Sequence, residues 1–374
     1  MPSVCWRLSA WNPDIASVRY RAAIPARHLA HRGVTSWLSS APYNMLAPAP
    51  PDAAVFVKAF GDRDVEQANK VVQAGIPVVL DVCDNVFAPG YQAHSHENLR
   101  RMAEISALVV TTGPALAEVL RGELGTDLRL EVVPDPVETT EDVTYAARIV
   151  SRQRLRRSLR ELPTDVPRAL ASVMWRGLVP ALRRRIPRAG PADLPQVLWF
   201  GNVGSIDPRF GIVNLADIAG ELESAAREVP FRLLVVTRDR DAYRERIVPL
   251  ALNTAFARWD RLTIFRHVRE SAVVIVPNSR DEFSICKSAN RATLALSQGV
   301  PVVATRIPSL DVLDGTILFD DFHTGLLTYL TDPHLAAEHI RRAGAIIDRE
   351  FAPAAVAGRW LALLDMVWRA RASA

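Results

Sequence analysis

Short apolar runs, often β-branched, recur along this chain, and between them apolar residues return every three or four positions. The first pattern is that of buried strands and the second that of amphipathic helices. In the first part of the chain, strands are predicted at Val4–Ser9, Val55–Lys58, Val78–Val82, Leu108–Thr112 and Arg129–Val133, with helices over 18–32, 63–74, 95–105 and 114–123. The alternation stops in an Arg- and Pro-rich stretch and restarts beyond it. There, strands are predicted at Val197–Gly201, Arg232–Thr237, Thr263–Phe265, Val273–Pro277, Pro301–Thr305 and Thr316–Phe319. Helices are predicted over 211–227, 240–249, 284–298, 323–331, 334–350 and 353–371. Repeated β–α alternation predicts an α/β protein whose parallel sheets carry helices on both faces. Two such series predict two Rossmann-like, doubly wound domains facing a central cleft.

Composition agrees with this picture. The 374 residues suffice for two domains with real cores, and 49% apolar with 23% charged residues is globular usage. No run of 18 uninterrupted apolar residues occurs, so no transmembrane helix is expected, and Met1 to Trp6 lack the basic and apolar regions of a signal peptide. Cys5, Cys83 and Cys286 lie far apart with no CxxC pair, which speaks against a disulfide framework or a zinc site and for the cytoplasm.

Charge is unevenly spread. Residues 148–188 hold twelve Arg against Glu161 and Asp165, a surplus of +10, so the rest of this +4 chain carries −6. Within that segment Trp175, Leu178, Val179 and Leu182 line one side of a short helical pattern flanked by Arg176 and Arg183 to Arg185. Such a pattern suits an anionic membrane surface, which would place the protein peripherally on the inner face of the plasma membrane. An arginine-solvated linker is the other reading. Aromatic interleaving and known modules are missing, so nucleic acid is not expected as a partner.

Candidate chemistry concentrates at Lys287-Ser288-Ala289-Asn290-Arg291, followed by an apolar stretch and Gly299-Val300-Pro301. On a continuous helix starting near Ser284, Lys287, Asn290 and Arg291 share one face. Cations near a helix start oppose its dipole at about 0.3–1 kcal/mol each, which makes sense where an anion docks. Gly201-Asn202-Val203-Gly204 follows a strand and suits close backbone approach to phosphate, with Arg209 in the same loop. Asp81 and Asp84 end the run Ile76–Val82, at a strand edge over the cleft. Their DxxD spacing does not close a coordination shell, so no metal is expected there; they would orient a hydroxyl or a loop, cap a helix or pair with Arg100 or Arg101. His94 and His96 follow in a loop and suit a general base. Arg19, Arg21 and Lys58 are candidate anion contacts, or surface cations. Asp281 and Glu282 can accept from ligand hydroxyls, or serve as helix N-terminal acids.

In order and spacing, these motifs resemble a GT-B glycosyltransferase. The marks are Arg19-Tyr20-Arg21 with Pro25 and Gly33, then Val79 to Asn85, Val109 to Thr112, Val132 to Asp135, Phe200-Gly201-Asn202, Val276 to Ser279, and the Lys287 segment. The resemblance implies an N-terminal acceptor domain over 1–140, an Arg-rich insert over 141–195 and a nucleotide-sugar domain over 196–350. It also implies a C-terminal helix over 351–374 that returns to the N-terminal domain. The activity implied is metal-independent transfer of a sugar from a nucleoside-diphosphate donor, the co-substrate, to a glycan or lipid-linked hydroxyl, with no further cofactor. Gly201, Asn202, Arg209, Lys287, Ser288, Asn290 and Arg291 would hold the diphosphate and Asp281 and Glu282 the sugar. Arg19, Arg21, Lys58 and Asp81 would face the acceptor, and Asp84, His94 and Lys287 would act in catalysis. Many relatives carry a Glu-x7-Glu motif where this chain has Cys286 and Leu294, and a Lys-Gly pair where it has Phe210-Gly211. A degenerate binding module at the membrane and a sugar-nucleotide epimerase are therefore the alternatives.

Overall fold

The computed structural model describes residues 1–40, 49–160, 194–205 and 209–372. The N-terminal part runs β1 (Ser3–Leu8), a π-helical turn (Val18–Ala23) continuing into α1 (Ile24–Ala30), β2 (Thr35–Ser40), β3 (Ala53–Val57), α2 (Asp62–Gln73), β4 (Val78–Val82), α3 (Ala93–Ile105), β5 (Leu108–Thr111), α4 (Pro114–Leu124), β6 (Leu130–Val132) and α5 (Thr140–Arg160). Its six strands lie in the order β2-β1-β3-β4-β5-β6, all parallel. Every residue of β3 and β4 is buried, as expected of a sheet covered on both faces.

After the insert come β7 (Gln196–Phe200), a two-residue-per-strand hairpin of β8 (Gly204–Ser205) and β9 (Phe210–Gly211), then α6 (Ile212–Asp217), α7 (Ala219–Glu228), β10 (Arg232–Thr237), α8 (Arg240–Arg246), β11 (Asn253–Arg258), α9 (Thr263–Arg269), β12 (Val273–Val276), α10 (Asn290–Ser297), β13 (Val302–Ala304), β14 (Leu318–Phe319), α11 (Phe322–Thr331), α12 (Pro333–Ile346) and α13 (Pro353–Ala372). The second sheet, β11-β10-β7-β12-β13-β14, is also six-stranded and parallel. The β8–β9 hairpin is tight: a Cβ on Gly204 (φ +78°) would fall 1.8 Å from the Phe210 carbonyl oxygen.

The chain crosses between the domains at two adjacent points, where the Val137 amide donates to the Phe351 carbonyl at 2.8 Å. Beyond the second crossing, α13 returns to the N-terminal domain. It buries Val356, Ala357, Trp360, Leu364 and Val367 there, with Trp360 edge-on to Trp6 at 5.2 Å. The stretch Pro333–Arg371 is long and apolar enough to cross a membrane; in this fold Val356, Ala357, Trp360, Leu364 and Val367 within it lie in the N-terminal core.

Three sequence expectations are corrected. Residues 263–265 are helical: Ile264, Phe265 and Val268 face the core at helical spacing, and the Asp260 carboxylate accepts the Leu262 and Thr263 amides. The edge strands β2 and β11 escape the hydrophobic pattern because their exposed flanks are polar. The helix expected over 284–298 is broken. A short 3₁₀ turn (Ser284–Cys286) ends at Lys287 in extended geometry (φ −69°, ψ 149°), and α10 starts afresh at Asn290.

Candidate functional site

In open α/β sheets ligands bind beyond the strand C-termini, where strand order reverses. In the C-terminal domain that point lies between β7 and β12, so Gly201 and Asn278, just past those strands, flank it. Arg291, in the first turn of α10, reaches the same place. Its Nη2 donates to Asn278 Oδ1 at 2.9 Å, and a Cβ on Gly201 would lie 3.6 Å from Nη1. Among the described residues no carboxylate pairs with Arg291, and burial alone pulls its guanidinium down to about 10. α10 begins at Ala289 without a side-chain cap among the described residues, so its first amides have no intrahelical partner and no cap. A half-buried cation with no carboxylate partner among the described residues, beside uncapped helix amides, is suited to an anion. Ser288 and Asn290 stand half-exposed at the same helix start.

The N-terminal sheet reverses between β1 and β3, and Lys58 follows β3 at that point. Its backbone is left-handed (φ 49°), a strained state for a lysine. Lys58 pairs with Asp84, and Lys287 reaches across the cleft to the other Asp84 oxygen at 2.8 Å. The Lys287 ammonium lies 3.6 Å from the Phe283 ring centre and 5.3 Å from that of Phe210; Tyr91 faces Phe283 at 6.1 Å. Beside them the Asn85 amide donates to the Glu282 carbonyl at 2.9 Å, a second cross-cleft bond.

Burial would raise the Asp84 carboxyl, but Lys287 and Lys58 outweigh it and hold it at about 2. A carboxylate depressed in the folded state stabilises above its unfolded value, near ~4, and loses that contribution as pH falls through the folded one. We therefore expect Asp84→Asn to cost on the order of 2 kcal/mol at pH 7 and the deficit to shrink to nothing between about pH 4 and pH 2. Urea unfolding of both proteins across that range checks it; a deficit that persists unchanged at pH 2 contradicts it.

Other candidate residues lie elsewhere. Arg21 and Asp81 are not at the cleft surface. They pair inside the N-terminal core at 2.7 Å, and Arg21 also donates to the Val133 carbonyl at 2.6 Å and Asp135 at 3.3 Å. Arg19 is buried on Glu138 at 2.6 Å, which also accepts from the Tyr20 hydroxyl, so it is no free anion contact. His94 pairs with Asp62 at 2.8 Å between the starts of α2 and α3, and His96 packs on Phe87; neither meets the Asp84 cluster in these contacts. The Arg209 side chain is taken by Asp217, and its carbonyl by the Ser279 and Ser284 hydroxyls. Asp281 accepts the Phe283 and Ser284 amides, the capping role of a helix-start acid, while the Glu282 residue is exposed. Asn202 is exposed beside Gly201. Of residues 148–188 only the end of α5 is described; 161–188 lie outside the described residues, as does Trp175.

Sequence reasoning gave no site role to several residues: Asn278 beside Arg291, and Asn85, Phe210, Phe283 and Tyr91 beside the Lys287–Asp84 pair. A further cross-cleft cluster joins Asp14 to Arg238 at 2.9 Å and Arg261 at 2.6 Å, with the Trp259 ring between Arg238 and Arg19. One signal was available. The chain has only three lysines, Lys58, Lys70 and Lys287, among 45 basic residues, and two of the three meet on Asp84.

No family model matches this chain, and no curated protein does. Solved structures match across its whole length. Sucrose-phosphate synthase from Thermosynechococcus elongatus is 16% identical with a TM-score of 0.59, covering 99% of this chain and 100% of that one. Anabaena HepE, solved with UDP, is 13% identical with a TM-score of 0.64 over 98% of this chain and 100% of its own. A glycosyltransferase from Rickettsia africae is 11% identical with a TM-score of 0.62 over 98% of both chains. These likenesses, with the two sheets, show the GT-B fold.

Proposed function

We propose that this chain is a glycosyltransferase that moves a sugar from a nucleoside-diphosphate donor to a hydroxyl of a glycan or lipid-linked acceptor. The observation that carries the reading is Arg291, half-buried and, among the described residues, without an acidic partner over the switch point of the C-terminal sheet. In the transfer, the anomeric carbon–oxygen bond to the diphosphate breaks, a carbon–oxygen bond to the acceptor forms, and the acceptor hydroxyl gives up its proton. Negative charge builds on the departing diphosphate, and fixed donors aimed there lower the barrier. Arg291, the α10 amides and Lys287 are those donors in this reading, with Gly201 leaving room for the phosphate. The structural neighbours support the donor class: HepE structures hold UDP and UDP-glucose.

Because side chains supply the positive charge, the reaction is proposed to run without metal, so EDTA should leave turnover unchanged. Acceptor binding is assigned to the N-terminal face around Lys58 and Asp84. The Arg-rich segment 148–188 is proposed to meet the anionic cytoplasmic face of a membrane, where a lipid-linked acceptor would be presented. Incubation with UDP-, GDP- and ADP-sugars and a set of glycan and lipid-linked acceptors, read by mass spectrometry for glycosylated acceptor and released diphosphate, tests the activity; a folded protein that binds none of the donors and transfers from none sinks it. One observation favours a second reading, a binding module that has lost chemistry. Leu294 packs in the C-terminal core and Cys286 in the N-terminal one, at positions where related enzymes carry glutamates. That module would bind a nucleotide without releasing product from any donor.

A further inference from the structure

Asp84 belongs to the N-terminal domain, yet one of its two oxygens is occupied by Lys287 from the C-terminal domain. Its other oxygen keeps Lys58, a neighbour on its own sheet. Arg291, by contrast, is provided with no such counter-ion among the described residues. Beside the strand ends, two described cations of the C-terminal domain thus stand in different states: Arg291 waiting, Lys287 already neutralised. Lys58, Lys287 and Arg291 against Asp84 leave two positive charges, the complement of a sugar nucleotide's two phosphoryl charges.

We propose that Asp84 is a stand-in for the second phosphoryl group: it holds Lys287 in the donor-free cleft, and a diphosphate, but not a monophosphate, displaces it. The proposal rests on the donor reading given above. A single phosphoryl group is satisfied at Arg291 and the α10 amides and leaves the Asp84–Lys287 bridge intact. A diphosphate reaches further and exchanges the carboxylate for a phosphate on Lys287, while Lys58 keeps Asp84 ionised. Asp84 is therefore a specificity-determining residue that penalises diphosphate binding by the strength of one ion pair. It also ties donor entry to release of a cross-cleft contact. The Asp14 cluster and the Asn85–Glu282 bond hold the domains together when that contact is released.

The test uses the full chain and Asp84→Asn, with Asp84→Ser as a second variant should the first fold poorly. Calorimetry with UDP and UMP, and with the guanosine and adenosine pairs, is expected to show the diphosphate bound about tenfold tighter in the variant and the monophosphate changed less than about threefold. Equal gains for both, the mark of a general change in potential, overturn the exchange, as does no gain for the diphosphate. A second arm needs no nucleotide. With so few lysines, limited acetylation read by mass spectrometry reports each one, and exposed Lys70 serves as the internal standard. Relative to Lys70, Lys287 should react several-fold faster in the variant than in the wild type. If no nucleotide binds the wild type, the donor reading fails while this arm still decides the bridge: an unchanged Lys287 rate overturns it.

Discussion

Arg291→Met is expected to abolish nucleoside-diphosphate binding and cut sugar transfer by about 100- to 1,000-fold, while the folded state loses no stability. The two halves of that expectation come from the same fact. The side chain is half-buried, its one described protein partner is the neutral side-chain oxygen of Asn278, and desolvation lowers its pKa to about 10. A partly desolvated cation without a counter-ion is a cost to the fold, and methionine fills similar volume without it, so thermal melts should show an unchanged or raised midpoint. A site residue kept for folding alone would show the opposite, a lower midpoint with binding retained at low temperature. Added nucleotide should raise the wild-type midpoint and leave the variant's where it is.

The second large effect is expected at Arg21, and there it is stability that falls. Arg21 binds Asp81 through both Nε and Nη2 and spends Nη1 on the Val133 carbonyl and Asp135, with its guanidinium 5.6 Å from the Trp360 ring centre. Removing one partner of a buried ionic set leaves the other charged groups uncompensated, at about 3–5 kcal/mol. For a domain of this size that is a fall in Tm of roughly 10 °C. Arg21→Lys should recover little of it, since a single ammonium replaces a fork that serves three acceptors at once. Had Arg21 instead contacted the acceptor, Arg21→Met would fold normally and lose turnover only; melting and activity measured side by side separate the two.

How far the sequence carries the argument depends on the range of each interaction. The alternation of buried strands and amphipathic helices is local, and it was sufficient for two doubly wound domains and a GT-B resemblance. It missed β2 and β11 because edge strands are half-solvated and need not look apolar, and it misread 263–265 because three β-branched or aromatic residues fit either period. The dipole argument led to Arg291, but assumed a continuous helix; the chain turns at Lys287 and sends that side chain to Asp84. Asp84 and Lys287 are 203 positions apart and Arg21 and Asp81 are 60 apart, so no local pattern pairs them. For the same reason, arginines at the start of a helix read as exposed cations when three-dimensional packing makes them core. The scarcity of lysine was the one compositional trace of the cleft.

The central claim is that the C-terminal switch point is built for a diphosphate, and nucleotide calorimetry on the wild type and Arg291→Met tests it most directly. For one of the uridine, guanosine or adenosine pairs, the wild type should bind the diphosphate at least tenfold more tightly than the monophosphate, and Arg291→Met should lose both the affinity and the preference. A wild type that binds no nucleoside diphosphate, or a variant that binds it as the wild type does, would contradict the account.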